Sequence, residues 1–427
     1  MEDCVNFQLP FGKDKISLNV DKSRLIGVLT SKINGYSADC DGESIVKKAM
    51  ENPVGTERLE ILAKGKKKIC LIASDHTRPV PSKIIVPLML KAIRKGSPDA
   101  EITILIATGL HRTTTKEELV YKFGEEIVKK EKIVIHDCDD ADNLVYMGKL
   151  PSGGRFILNR IAAEAELLVA EGFIEPHFFA GFSGGRKSVL PGVCARETVM
   201  YNHNSRFIAD KFARTGILDG NPVHKDMLYA AKKAKLAYIV NVVINANHEP
   251  IYAVAGDVEK AHFKGVEFLL SKCKVKAMKA DIVITTNGGY PLDQNIYQSV
   301  KGMTAAESTV NAGGVIIMIA KANDGHGGIN FYNTFKNSEN VKELMDGFLS
   351  TPPLETVVDQ WQSQILARVM LKATVIFVSS CPDEIIKDMK MIPAGTVEEA
   401  IEKAENILGK KDCGITVIPD GVSVIVE

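Results

Sequence analysis

Four short apolar runs, closed by polar or glycine-bearing residues and alternating with helical patterns, constrain this chain more than any other feature. KKICLIAS (67–74), EITILIA (101–107), KIVIHD (132–137) and LLVAEG (167–172) have the length and unbroken apolarity of strands buried on both faces. Buried strands alternating with helices predict βαβ units and a largely parallel sheet. The pattern renews itself later in ADIVITTNGG (280–289), VIIMIA (315–320) and TVIFVSS (374–380). The fold class is therefore α/β: two α/β domains with mainly parallel sheets and a cleft between them.

A length of 427 residues suits two domains, each able to bury its own core. The predicted boundaries are an N-terminal α/β domain at 1–270, a lysine-rich hinge at 271–279 (SKCKVKAMK) and a C-terminal α/β domain at 280–427. Two hairpins are expected at the ends, VNFQLPFGKDKISLNV (5–20) around a GKD turn and ITVIPDGVSVIVE (415–427) around a PDG turn. Lys+Arg and Asp+Glu balance at 53 each, which argues against a nucleic-acid footprint or a membrane-surface preference. No apolar stretch reaches transmembrane length and the polar start MEDCVNFQLP does not read as a signal peptide, so a cytoplasmic protein is expected. The 8 Cys are scattered without a C-x-x-C pair, as reduced buried thiols would be.

In parallel α/β sheets the loops at the carboxyl ends of the strands carry the ligands. Here those loops are DHTRPVP with Asp75, His76 and Arg78, TGLHR with His111 and Arg112, and the segment from His177 through GFSGGRKS to His203. The last segment brings a histidine, a glycine-lined turn with Lys187, and a second histidine closest together. Glycines there would let the backbone approach a phosphate or a flat ring. It is not a Walker A loop, because counting from Gly181 puts Arg186 where the second glycine must stand. Each residue also has an ordinary alternative. His76 and His136 read as hydrogen-bonded structural histidines, Arg78 as a loop cap or a partner of Asp75, and His224, His248, His262 and His326 as surface or helix residues. Gln298 and Lys301 fall on one face of an expected helix, either solvated or ligand-facing. Trp361 packs in a core or covers a ring.

The blocks SDHTRP (74–79), ATGLHR (107–112), EPHFFAGFSGGRKSVLPG (175–192), YNHN (201–204), YQSVKGM (297–303) and Trp361 resemble, in order over nearly the whole chain, the nickel-pincer-nucleotide lactate racemases. That resemblance implies a nicotinate-derived mononucleotide with two sulfur-containing arms and a nickel–carbon bond. It implies Lys187 as the thioamide attachment point, His203 as the nickel ligand, and His111 and His177 as acid/base residues. Arg78, Gln298 and Lys301 would bind substrate, with Asp75 and Trp361 near the cofactor. Cofactor-synthesis enzymes are implied as transient partners, with no nucleic acid and no membrane. The expected reaction is racemisation of a small 2-hydroxy acid, lactate first, by reversible hydride transfer through a transient 2-keto acid. Malate, another short hydroxy acid or a sugar acid (2-epimerisation) are alternatives within the family.

Chemistry agrees with that set. Removing hydride from C2 requires the hydroxyl to lose a proton, and the two enantiomers present that hydroxyl to different sides, so two bases are needed. Histidine, with an ordinary pKa of about 6.5, accepts and returns protons near neutrality. Sulfur and imidazole suit Ni(II), and an arginine fork suits a carboxylate. Two other classes remain to be weighed. A zinc hydrolase would need a close-spaced pair such as H-E-x-x-H, which is absent from the sequence. A non-enzymatic nucleotide binder would leave His111 and His177 without a role.

Overall fold

The computed structural model describes residues 3–33, 35–245 and 247–427. The chain forms two compact units, one built from Ile33–His203 and Asp210–Ser271, the other from Met1–Lys32, Asn204–Ala209 and Lys272–Glu427. This division departs from the expected boundaries at the N-terminus. The opening hairpin, β1 (Cys4–Phe11) and β2 (Asp14–Asp21), and the strand β3 (Leu25–Val28) belong with the C-terminal residues. The reason is hydrophobic. Alternation in the hairpin puts Leu9, Leu18 and Val20 on one face, and they are buried in one cluster with Ile282, Ile284, Ile317 and Val417.

The first unit holds β4 (Lys68–Ser74), β5 (Glu101–Ala107), β6 (Lys132–Ile135), β7 (Leu144–Lys149), β8 (Arg155–Asn159) and β9 (Leu167–Phe173). It continues with β10 (Pro176–His177), β11 (Gly181–Phe182), β12 (Leu236–Ile244) and β13 (Pro250–Gly256). Its main sheet has the order β13-β12-β9-β4-β5-β6, parallel throughout except for β13. Every residue of β9 is buried, as a strand between two parallel neighbours and two helical layers must be. The helix Ser82–Gly96 covers one face with Ile85, Val86, Met89, Leu90 and Ile93, the i, i+3, i+4 stripe of an amphipathic helix. From β4 the chain steps outward through β5 to β6, and then returns to β9 and steps the other way. The order therefore reverses between β4 and β9, which opens a crevice at their carboxyl ends.

The second unit adds β14 (Lys274–Val275), β15 (Ala280–Thr286), β16 (Val310–Ile319), β17 (Thr374–Val378), β18 (Ile392–Ala394), β19 (Ile415–Ile418) and β20 (Ile425–Val426). Its sheet, β18-β17-β16-β15-β19-β3, is parallel throughout, with its own reversal between β15 and β19. The C-terminal hairpin expected from the PDG turn does not form. All four residues of β19 are buried between parallel neighbours, and β20 pairs in parallel with β14 instead. A turn signal fixes a change of direction, whereas unbroken apolarity marks a strand that belongs inside a sheet. The residues expected to form a hinge contain β14, and the chain re-enters the second unit at Lys272. Among the described residues no helix is long and apolar enough to cross a membrane.

Candidate active site

Three loops leave the carboxyl ends of β9, β4 and β5, adjacent strands that flank the reversal in the first unit. After β4 comes Asp75, its side chain almost wholly buried. Its Oδ2 lies 2.7 Å from Nδ1 of His111, which stands in the loop after β5, and its Oδ1 accepts the Thr77 hydroxyl at 2.7 Å. Burial alone would raise the Asp75 pKa. Hydrogen bonds from His111 and Thr77, with the charges of His111 and Arg78, outweigh it and leave the carboxyl below its ordinary value. His111 is partly open, its side chain 41% exposed. Arg78 is exposed, and its charge acts on Asp75. Arg112, by contrast, is committed to Glu118 through two bonds.

The remaining residues of the first unit meet at one ring. Phe179 lies edge-on to His177 (centroids 4.6 Å apart) and edge-on to His203 (5.1 Å), and the Lys187 ammonium stands 5.7 Å from its centroid. His203 is the C-cap of the helix Arg196–Asn202 and is buried. Burial, followed by the nearby Lys187 charge, pushes its pKa down to about 3, so the imidazole is neutral at physiological pH. A neutral imidazole is the form that binds a metal. His177 accepts the Ala180 amide at Nδ1, 3.3 Å away. A lysine, a neutral imidazole and an apolar aromatic floor fit a flat, covalently held, metal-bearing ring. His136 is structural: its nitrogens face the Cys194 carbonyl and the Asn159 amide in the core.

Sequence reasoning missed four residues beneath these loops. Arg186 is fully buried, and its guanidinium bonds the Ala180 carbonyl at 2.7 Å and contacts His262 Nε2 at 3.1 Å. His262 does lie on a helix, as expected, but is buried there, not at the surface. Glu171, buried in β9, accepts both the amide and the hydroxyl of Ser74, the residue before Asp75. Lys122, also buried, donates to the Arg78 carbonyl at 3.1 Å. The available signal was a charged residue inside an otherwise apolar run, as in LLVAEG. The glycines of the turn also have a different reason from the expected one. A Cβ on Gly184 would lie 2.7 Å from Asn241 Oδ1, and one on Gly185 would lie 2.7 Å from the His262 ring, both at positive φ. They are required by the protein's own packing.

In the second unit, Gln298 and Lys301 lie in the first turns of the helix Ile296–Thr309, which follows β15 at that sheet's reversal. Asn295 caps this helix through the Gln298 amide, and Oε1 of Gln298 is buried without a hydrogen-bond partner. The Tyr297 hydroxyl donates to Asp359 at 2.7 Å, and Gln362 donates to the Tyr297 carbonyl at 2.5 Å. These two bonds fasten the start of the helix Gln360–Lys372, which carries Trp361, to the start of the helix bearing Gln298. Trp361 is half-buried.

Fold and site together define an α/β enzyme whose chemistry-bearing residues gather where strand order reverses. Its relatives make that class specific. Residues 11–216 match the family model described as lactate racemase N-terminal domain, and residues 275–426 match the lactate racemase C-terminal domain. The chain is 54% identical over 423 residues to a lactate racemase of Thermoanaerobacterium thermosaccharolyticum, covering 99% of each. It is 51% identical over 424 residues to a lactate racemase of Lactiplantibacillus plantarum, covering 99% of this chain and 100% of that one. The solved lactate racemase apoprotein from T. thermosaccharolyticum superposes with a TM-score of 0.96 over 99% of this chain and all of that one. A Thermotoga maritima protein at 18% identity and a TM-score of 0.66, covering 91% of this chain and 100% of that one, shares the fold. The chain belongs to the lactate racemase family, and it is an isomerase.

Proposed function

We propose that this chain interconverts the enantiomers of lactate in the cytoplasm, with a nickel-pincer nucleotide joined to Lys187 and nickel bound by His203. The observation that carries the reading is the meeting of His177, Lys187 and His203 on the single ring of Phe179. When bound, that group supplies a carbon able to take a hydride from C2 of the substrate and return it to either face. All other work falls to the protein's own residues. Arg78 offers its exposed fork to the substrate carboxylate, and Gln298 and Lys301 add further polar contacts to substrate. Asp75 accepts a hydrogen bond from Nδ1 of His111, which turns Nε2 toward the substrate hydroxyl proton. His177, held by the Ala180 amide at Nδ1, serves the other hydroxyl orientation, so that each histidine takes the proton from one enantiomer and, once protonated, returns one in forming the other. One proton taken and one returned keep a full turnover at the secondary alcohol proton-neutral. Trp361 is assigned to cofactor binding, as a ring able to stack on a flat group. Cofactor-synthesis enzymes are transient partners; no nucleic acid or membrane is involved.

Co-expression with the cofactor-synthesis enzymes tests this. The purified protein should carry nickel and a mass adduct, and should racemise lactate in a panel of chiral hydroxy acids assayed by chiral chromatography. Loaded protein that leaves both lactate enantiomers untouched would overturn the substrate; zinc in place of nickel, or no metal, would overturn the cofactor.

A further inference from the structure

Arg186 is an expensive residue to bury. Its side chain is completely enclosed, burial brings its pKa down to about 9, and it contacts carbonyls and a histidine. What it touches explains its presence. Nη2 bonds the carbonyl of Ala180, the residue after Phe179, at 2.7 Å. Nη1 reaches the carbonyls of Ser183 (3.5 Å) and Gly184 (3.4 Å) and Nε2 of His262 (3.1 Å). The same Gly184 carbonyl accepts the amide of Lys187 at 3.2 Å. One planar group thus spans the turn from the residue beside Phe179 to the carbonyl on which Lys187 hangs. The far side of the turn is closed by Asn241, whose Oδ1 accepts the Gly185 amide at 2.7 Å, and by His262 against Gly185. His262 stands at the junction of Arg186 and Ser183, its Nε2 also 2.8 Å from the Ser183 carbonyl.

We propose that Arg186, braced by His262, is the positioning residue that sets Lys187 against Phe179 and His203, and that covalent loading of Lys187 depends on it. The inference rests on Lys187 being the anchor. Lysine cannot replace Arg186, because an ammonium has no fork to span Ala180 and His262 together. Glutamine can replace His262, because its amide supplies one donor and one acceptor at the same junction.

The test is intact-mass spectrometry on full-length protein co-expressed with the cofactor-synthesis enzymes, reading the fraction that carries the adduct. Arg186→Lys, Arg186→Met and His262→Leu should each lower that fraction by about tenfold. His262→Gln should retain most of it. Val46→Ala, a core truncation in the helix Gly42–Glu51 away from the turn, should load fully despite lower stability. Should the Arg186 variants fail to fold, His262→Leu decides, since it leaves Arg186 its carbonyls. Wild-type loading in a folded Arg186→Lys or in His262→Leu would overturn the proposal, as would equal loss in Val46→Ala. Lys187→Ala, run beside them, must show no adduct. An adduct there refutes the anchor itself, a failure distinct from normal loading of the Arg186 variants.

Discussion

Nδ1 of His111 lies 2.7 Å from Oδ2 of Asp75, and the other oxygen of that carboxylate is held by the Thr77 hydroxyl. Both oxygens are therefore occupied, and the imidazole has one tautomer that satisfies the contact. Asp75→Asn should lower racemisation by about 10²–10⁴-fold, through loss of the tautomer and orientation of His111. The same substitution tests stability. The lowered carboxylate pKa contributes stability that is complete above the ordinary value of about 4 and is lost as pH falls through the lowered one. Acid unfolding followed by circular dichroism should lose that contribution in the variant. Acid-unfolding curves that coincide would contradict the assignment.

Two histidines, buried His262 and half-buried His224, predict a loss in the same direction that begins at higher pH. Burial, then the charges of Arg186 and Lys232, holds His224 down to about 3, and His262 is likewise depressed, by burial first. In the unfolded chain both protonate near pH 6.5. As pH falls below that value, the unfolded state takes up protons that the folded state refuses. Stability therefore declines toward acid, by up to about 1.4 kcal/mol per pH unit for each histidine. His224→Gln should flatten this loss between pH 6.5 and pH 3 in denaturant melts. An unchanged slope would mean that His224 is protonated in the folded protein.

Lys122 donates to the carbonyl of Arg78, and burial lowers its pKa although the Glu171 charge opposes this. Lys122→Met should let the Arg78 loop relax. Because Arg78 is proposed to grip the substrate carboxylate, KM should rise on the order of tenfold, more than kcat falls. Steady-state kinetics in both directions checks this split. A fall in kcat alone would tie Lys122 to the proton-transfer residues.

Phe179 touches His177, Lys187 and His203 at once. Phe179→Ala should cost about 3–5 kcal/mol of stability and sharply reduce nickel retention, whereas Phe179→Leu should keep more of both. Urea titration and elemental analysis measure the two effects separately. Nickel content unchanged in Phe179→Ala would show that the ring is core packing alone.

Much of this architecture was legible in the sequence, because strands buried on both faces announce themselves as unbroken apolar runs such as EITILIA. The carboxyl-end positions of Asp75, His111 and His177 followed from where those runs stop. What stayed hidden depends on tertiary partners. The hairpin 5–20 was readable as a hairpin, yet nothing local says which sheet Leu9 and Leu18 will cover. The PDG turn hid a parallel strand, because strand pairing is non-local. Arg186 read as the residue that spoils a P-loop, and only its carbonyl cage reveals its part in the turn. Glycines 184 and 185 looked like room for a ligand, whereas Asn241 and His262 occupy that space.

The central claim is that His111 and His177 serve opposite orientations of the substrate hydroxyl. Each full turnover then uses both, so neither His111→Ala nor His177→Ala should racemise. A first half-reaction needs only one of them. Rapid mixing of each cofactor-loaded variant with each pure lactate enantiomer, followed by the absorbance change, should give a crossed pattern. One variant responds to one enantiomer, and the other responds to its mirror image. Both variants responding to the same enantiomer, or either racemising at the wild-type rate, would contradict the account.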